Sequence, residues 1–144
     1  VFFGLVAVGG TSFVLTQSVS PLALLAGVPV GALGVALLAV NNVRDVKTDT
    51  AANKRTLVVR LGVGFGKAEY VSMLVLSAVM PVALWASGLT SIWVLGTLAS
   101  LVFAVPPPRI LMKESGQVLN QALAGTAKLQ LVYGLLFALG LGHS

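Results

Sequence analysis

The chain carries three long stretches without a charged side chain: residues 1–43, 70–108 and 129–144. A helix needs roughly 20 consecutive apolar residues to cross the hydrocarbon core of a bilayer. The first two stretches are each about twice that length, so each can hold two crossings. This dictates an all-α, polytopic transmembrane helical bundle of about five spans. The rest of the composition agrees: 57% of the 144 residues are hydrophobic and 9% charged, and the mean hydropathy is +0.99. A soluble domain would have roughly a quarter of its residues charged. With no cysteine, a disulfide-stapled secreted module is also excluded.

Turn signals divide the apolar runs into expected spans at about residues 1–16, 21–42, 69–86, 91–108 and 122–141. Gln17-Ser18-Val19-Ser20-Pro21 breaks the first run and supplies a proline suited to the first turn of the next helix. Ser87-Gly88-Leu89-Thr90-Ser91 breaks the second run, and Pro106-Pro107-Pro108 closes it. Gly27, Gly31 and Gly34 recur at four- and three-residue spacing, forming a small-residue face along which membrane helices approach closely. Pro29 is expected to kink the same span. The chain opens on Val1 rather than methionine, with no positive n-region or cleavage site, so it reads as a piece of a longer protein.

Charge placement is as informative as charge scarcity. Nine of the 13 charged residues lie in 44–69 and the other four in 109–128. Five spans put loops on alternating sides, and every Lys and Arg then falls on one side. The turns at 17–21 and 87–91 and the tail at 142–144 have none. The positive-inside rule places the motif loop, residues 43–68, in the cytoplasm of a multi-pass cell-membrane protein. The net charge of +5 and the pI of about 10.1 follow from this placement. No basic patch is interleaved with aromatics, so nucleic acid is not the expected partner.

The second span ends in Asn41-Asn42-Val43-Arg44-Asp45-Val46-Lys47-Thr48-Asp49. If the helix continues, 100° per residue puts Asp45 and Asp49 about 40° apart on one face, with Asn41 above and Asn42 nearly eclipsing Asp49. Two carboxylates so spaced repel by a few tenths of a kcal/mol, which a cation relieves. Hard oxygen ligands without Cys or His suit magnesium, which takes one or two carboxylates, keeps several waters and binds substrate phosphates. Lys54, Arg55 and Arg60 follow as donors for phosphate oxygens. A calcium loop is discarded, because Lys47 stands where the third position needs an oxygen ligand.

Two plainer readings share parts of this pattern. A solvated loop pairs such acids with neighbouring bases, and a transporter or assembly subunit uses the bases to anchor at anionic lipid. Lipid anchoring gains nothing from the acids. The asparagine pair one turn inward, at the end of a membrane span, favours function, because uncompensated polar groups are costly there. Among the remaining polar residues, Tyr70 and Tyr133 read as packing groups, Arg109 and Lys113 as cytoplasmic anchors, Lys128 as a side chain that snorkels to the surface, and His143 as frayed.

The stretch NNVRDVKTDTAANKRTLVVRLG, Asn41 to Gly62, resembles the second aspartate-rich motif of the UbiA-type intramembrane prenyltransferases. The form is NNxRDxxxDxxxxKxTLxxRLG, that of the 1,4-dihydroxy-2-naphthoate polyprenyltransferase branch, and the match covers 22 positions. The C-terminal LQLVYGLLFALGL is similar in character. This resemblance implies nine helices around a central cavity, of which the five spans are the C-terminal part. The missing N-terminal helices of the same protein would bring a first aspartate-rich motif. It further implies Mg2+ held by Asp45 and Asp49 against a polyprenyl diphosphate, with Lys54, Arg55 and Arg60 on the diphosphate. Asn41 and Asn42 would line the polar head of the cavity.

The implied reaction is polyprenyl transfer to 1,4-dihydroxy-2-naphthoate with decarboxylation, giving demethylmenaquinone in menaquinone biosynthesis. The fragment alone is expected to be inactive. Other UbiA-type enzymes act on 4-hydroxybenzoate, homogentisate or haem, and the NNxRD form argues against these. One departure stands out: Asn53 occupies a position where the family usually has glycine. Asparagine tolerates a left-handed backbone better than most residues, so the turn can survive.

Overall fold

The computed structural model describes residues 2–143; Val1 of the expected first span and Ser144 of the tail lie outside them. The described residues form helices and turns without a strand. A π-helical turn, Phe2–Val6, leads into α1, Ala7–Thr16, and then come α2, Pro21–Arg44, and the short helices α3, Val46–Ala51, and α4, Leu57–Leu61. Next are α5, Val63–Ala86, a 3-10 helix, Ile92–Ala104, α6, Pro106–Lys113, and α7, Leu119–Gly142. Four segments are long and apolar enough to cross a membrane: Pro21–Arg44, Val63–Ala86, Ile92–Lys113 and Gly116–Gly142. Phe2–Thr16 is also apolar but shorter. The chain is thus a multi-pass helical membrane bundle.

Helix ends depart from hydropathy for simple reasons. Ser20 caps α2, its Oγ accepting the Ala23 N–H at 3.0 Å, with Pro21 in the first turn. α5 starts at Val63, ahead of Glu69, because Lys67 and Glu69 end an apolar stretch without ending a helix. The three prolines open α6 instead of closing a helix, since a first turn needs no proline N–H. Between Ile92 and Ala104 the buried residues are Val94, Thr97 and Ser100, every third position. That spacing is the stacking of side chains at three residues per turn.

α2, α5, the 3-10 helix and α7 pack as a ring in which each touches the next and α7 returns to α2. Two tyrosines reach across the ring from α5 and α7. Tyr70 Oη lies 3.0 Å from Thr126 Oγ1, and that hydroxyl already donates to the Ala122 carbonyl at 2.8 Å, so tyrosine is the donor. Tyr133 Oη donates to the Ser77 carbonyl at 2.8 Å. Both pairs are 56 residues apart in sequence, the constant offset of two parallel helices. Tyr70 and Tyr133 are fully buried packing groups, each in one of two core clusters.

The glycine face of α2 receives the N-terminal segment. A Cβ on Gly31 would stand 2.8 Å from the Gly4 Cα, and one on Gly27 would stand 2.9 Å from the Gly4 carbonyl oxygen. Both charged segments lie at one end of the ring: Arg44 Nη1 meets Asn120 Oδ1 at 2.8 Å, and Lys67 Nζ meets the Met112 carbonyl at 3.0 Å. At the other end Ser91 Oγ donates to the His143 carbonyl at 3.1 Å. His143 is therefore held rather than frayed, its Nδ1 lying 2.8 Å from the Leu139 carbonyl. Lys128 places Nζ 4.6 Å from the centroid of the Phe103 ring, at the last residue but one of the 3-10 helix.

Candidate functional site

The helix is interrupted at Asp45, between α2 and α3, but the backbone hydrogen bonds that Asp45 itself makes persist. Asp45 has φ −96° and ψ 8°, yet its N–H donates to the Asn41 carbonyl at 3.0 Å and its carbonyl accepts the Asp49 N–H at 2.8 Å. Asn41, Asp45 and Asp49 therefore keep the four-residue relationship that a continuous helix would give them. Their side chains do not share one cation. Each acid has its own.

Asp45 pairs with Arg44. The guanidinium donates from Nε to Oδ1 at 2.8 Å and from Nη2 to Oδ2 at 2.6 Å, a bidentate fork. The hydrogen bonds from Arg44 hold the Asp45 carboxyl below the usual carboxylate range, against an opposing effect of desolvation. Nη2 also donates to Asn41 Oδ1 at 2.7 Å, and Nη1 reaches Asn120 Oδ1 on α7. Arg44 and Asn120 are thus part of the site although neither was expected there. The signal for Arg44 is its place inside the motif, directly before Asp45; Asn120, 76 residues further on, has no local signal.

Asp49 is buried, with 8% of its side chain exposed, and pairs with the exposed Lys54 at 2.9 Å. The intervening turn makes the contact possible. Asn53 adopts φ +54°, its N–H donates to the Thr50 carbonyl at 3.1 Å, and the Lys54 N–H returns to the Asp49 carbonyl at 2.9 Å. These two bonds close α3 in a Schellman motif, with asparagine at the position glycine usually takes. The hydrogen bond to Asp49 raises the pKa of Lys54 above its ordinary value.

Arg55 and Arg60 are exposed, and neither makes an ion pair among the described residues. Thr56 caps α4, its Oγ1 accepting the Val59 N–H at 3.3 Å, and so orients Arg60 in the last turn. Val58 anchors α4 in the core beside Val43 and Gly66, where a Cβ on Gly66 would lie 2.7 Å from both valine Cγ2 atoms. Asn42 is partly buried and makes no side-chain hydrogen bond among the described residues. The motif loop is therefore two short helices that pack Asp49 inward and leave the later bases outward.

Below the motif runs a groove of about 310 Å³ between α2 and α7, lined by Gly34, Leu37, Leu38, Asn41, Leu123 and Gln130 with Phe3 at its side. It is mainly apolar, and Asn41 belongs both to its wall and to the Arg44 network. As a donor set, the carboxylates of Asp45 and Asp49 match the one or two that magnesium usually takes from protein beside waters and substrate phosphates. No group of three or more His, Cys, Asp or Glu gathers among the described residues. The residues fit magnesium as a partial set.

The UbiA prenyltransferase family model matches residues 1–140. A Haemophilus influenzae protein named 1,4-dihydroxy-2-naphthoate octaprenyltransferase is 34% identical over 143 residues, covering 98% of this chain and 46% of the relative. Its namesake in Escherichia coli is 33% identical over 143 residues, with coverage of 98% and 46%. Another of the same name, from Mycobacterium leprae, is 44% identical over 84 residues, 58% of this chain and 29% of the relative. The chain spans less than half the length of these curated relatives. No solved structure matches it significantly.

Proposed function

Since the chain belongs to the UbiA prenyltransferase family, we propose that the protein carrying it transfers a polyprenyl group from polyprenyl diphosphate to 1,4-dihydroxy-2-naphthoate. The acceptor carboxylate leaves as CO2 and diphosphate is released, so the immediate product is the reduced, quinol form of demethylmenaquinone, a step of menaquinone biosynthesis. The names of the relatives support this acceptor. The observation that carries the reading is the position of Asn41, shared between an apolar groove and the polar network around Asp45.

In this reading Asp45 and Asp49 hold Mg2+, and Asn41 and Asn42 line the polar head of the site. When bound, the metal supplies positive charge to the departing diphosphate. Arg55 and Arg60, free of internal ion pairs among the described residues, are available to phosphate oxygens, and Lys54 is exposed beside its partner Asp49. The groove takes the prenyl tail and excludes water from the allylic carbon, whose cation would otherwise be hydrolysed. The site end of the bundle faces the cytoplasm of the plasma membrane, as the distribution of Lys and Arg supports.

The N-terminal helices of the same protein complete the metal site, and the 144 residues alone are inactive. The test is product formation by the purified full-length protein given Mg2+, polyprenyl diphosphate and either acceptor. Demethylmenaquinol from the naphthoate, detected as the quinone after oxidation in air, supports the proposal. Prenylation of 4-hydroxybenzoate but not of the naphthoate contradicts it.

A further inference from the structure

We propose that Arg44 is an exchangeable counter-ion of Asp45, displaced to substrate phosphate when metal arrives, and that Asn120 on α7 is its positioning residue. The proposal rests on the reading of Asp45 as a metal ligand. One guanidinium makes four hydrogen bonds: two to Asp45, one to Asn41 and one to Asn120. Asn120 is itself oriented, because its Nδ2 donates to Gln117 Oε1 at 2.9 Å and so turns Oδ1 toward Arg44.

The fork covers both oxygens of Asp45, and a divalent cation on that carboxylate would stand against a positive guanidinium. The two cations compete. A planar guanidinium fork matches a phosphate as well as it matches a carboxylate. Transfer of the fork from Asp45 to the diphosphate therefore keeps every charge paired, while metal takes the vacated carboxylate. The bond from Nη1 to Asn120 does not involve Asp45, so it can hold Arg44 in place through the exchange. Without metal, Arg44 and Lys54 neutralise Asp45 and Asp49, and for the buried Asp49 an unpaired charge would be costly.

The test uses the full-length protein, with Mn2+ as a paramagnetic probe for binding without substrate, and the KM and kcat for prenyl diphosphate. Arg44→Gln is expected to bind Mn2+ about tenfold more tightly, the equivalent of one charge-assisted competitor removed, while its KM for the diphosphate rises. Arg44→Lys keeps the charge without the fork, so Mn2+ affinity stays near wild type and KM still rises. Asn120→Leu is expected to raise KM with little change in kcat, and Asn120→Asp, which retains an acceptor, to restore it.

Unchanged or weaker Mn2+ binding in Arg44→Gln, or an unchanged KM in both Arg44→Lys and Asn120→Leu, overturns the exchange. An Asp45→Asn arm separates the two levels. Loss of Mn2+ binding there without tightening in Arg44→Gln defeats the exchange alone. Unaltered Mn2+ binding and transfer in Asp45→Asn defeats the metal-ligand reading and the exchange with it.

Discussion

Lys54 is joined to Asp49 twice: its backbone N–H donates to the Asp49 carbonyl at 2.9 Å, and its Nζ donates to Oδ1 of the same residue at 2.9 Å. Both bonds depend on the left-handed turn at Asn53. Asn53→Val is expected to cost about 1–2 kcal/mol, because a side chain branched at Cβ resists that conformation. Asn53→Gly should be neutral or slightly stabilising. Thermal unfolding of the full-length protein in detergent distinguishes the two, and equal losses would show that the turn does not limit stability.

The hydrogen bonds across the ring make a second prediction. Tyr70→Phe and Tyr133→Phe each remove one buried donor while keeping the ring, at a cost of about 1 kcal/mol. Neither hydroxyl touches the proposed site, so the KM for prenyl diphosphate should stay at its wild-type value. A raised KM with unchanged unfolding temperature would reassign the tyrosine to substrate binding.

Close approach of backbone at Gly31 predicts a packing defect. Gly31→Leu pushes a side chain into the Gly4 backbone, which cannot yield as a flexible side chain would. The expected loss is about 1–3 kcal/mol. Gly134, with open space beside it, serves as the control: Gly134→Ala should be tolerated. Detergent-solubilised yield and unfolding temperature read both variants.

The ion pairs set a pH window. The Asp45 carboxyl is held below its ordinary 3.8, so its contribution to stability is present above that value and is lost as pH falls through the folded pKa. Lys54 is raised above 10.5, so its contribution is complete below that value and is lost as pH rises through the folded pKa. The difference in unfolding temperature between wild type and Asp45→Asn should be constant near neutrality and close at pH below 3.8. A difference that persists in strong acid would assign the effect of Asp45 to something other than its charge.

What the residues alone reveal here follows the physical range of each signal. Charge-free length marks α2 and α5 as membrane helices, and an apolar run interrupted by Lys128 alone marks α7, because hydropathy is a local property. The same signal misses the start of α5 at Val63, since charged Lys67 and Glu69 sit comfortably inside a helix. The spacing of Asp45 and Asp49 is local and survives in the structure, as does the left-handed asparagine. The division of the acids between two bases is not legible, because it depends on side-chain direction at the helix break at Asp45. Arg44 and Asn120 meet only because α2 ends where α7 begins, a relationship between residues 76 apart.

The central claim is that Asp45 and Asp49 hold the metal that serves prenyl transfer. Its most direct test is the initial rate of transfer by the full-length protein across a Mg2+ titration, for wild type, Asp45→Asn and Asp49→Asn. The account predicts a loss of about a hundredfold or more in each variant at saturating substrate, with membrane insertion intact. Turnover at the wild-type rate, with the same Mg2+ dependence in both variants, would contradict it.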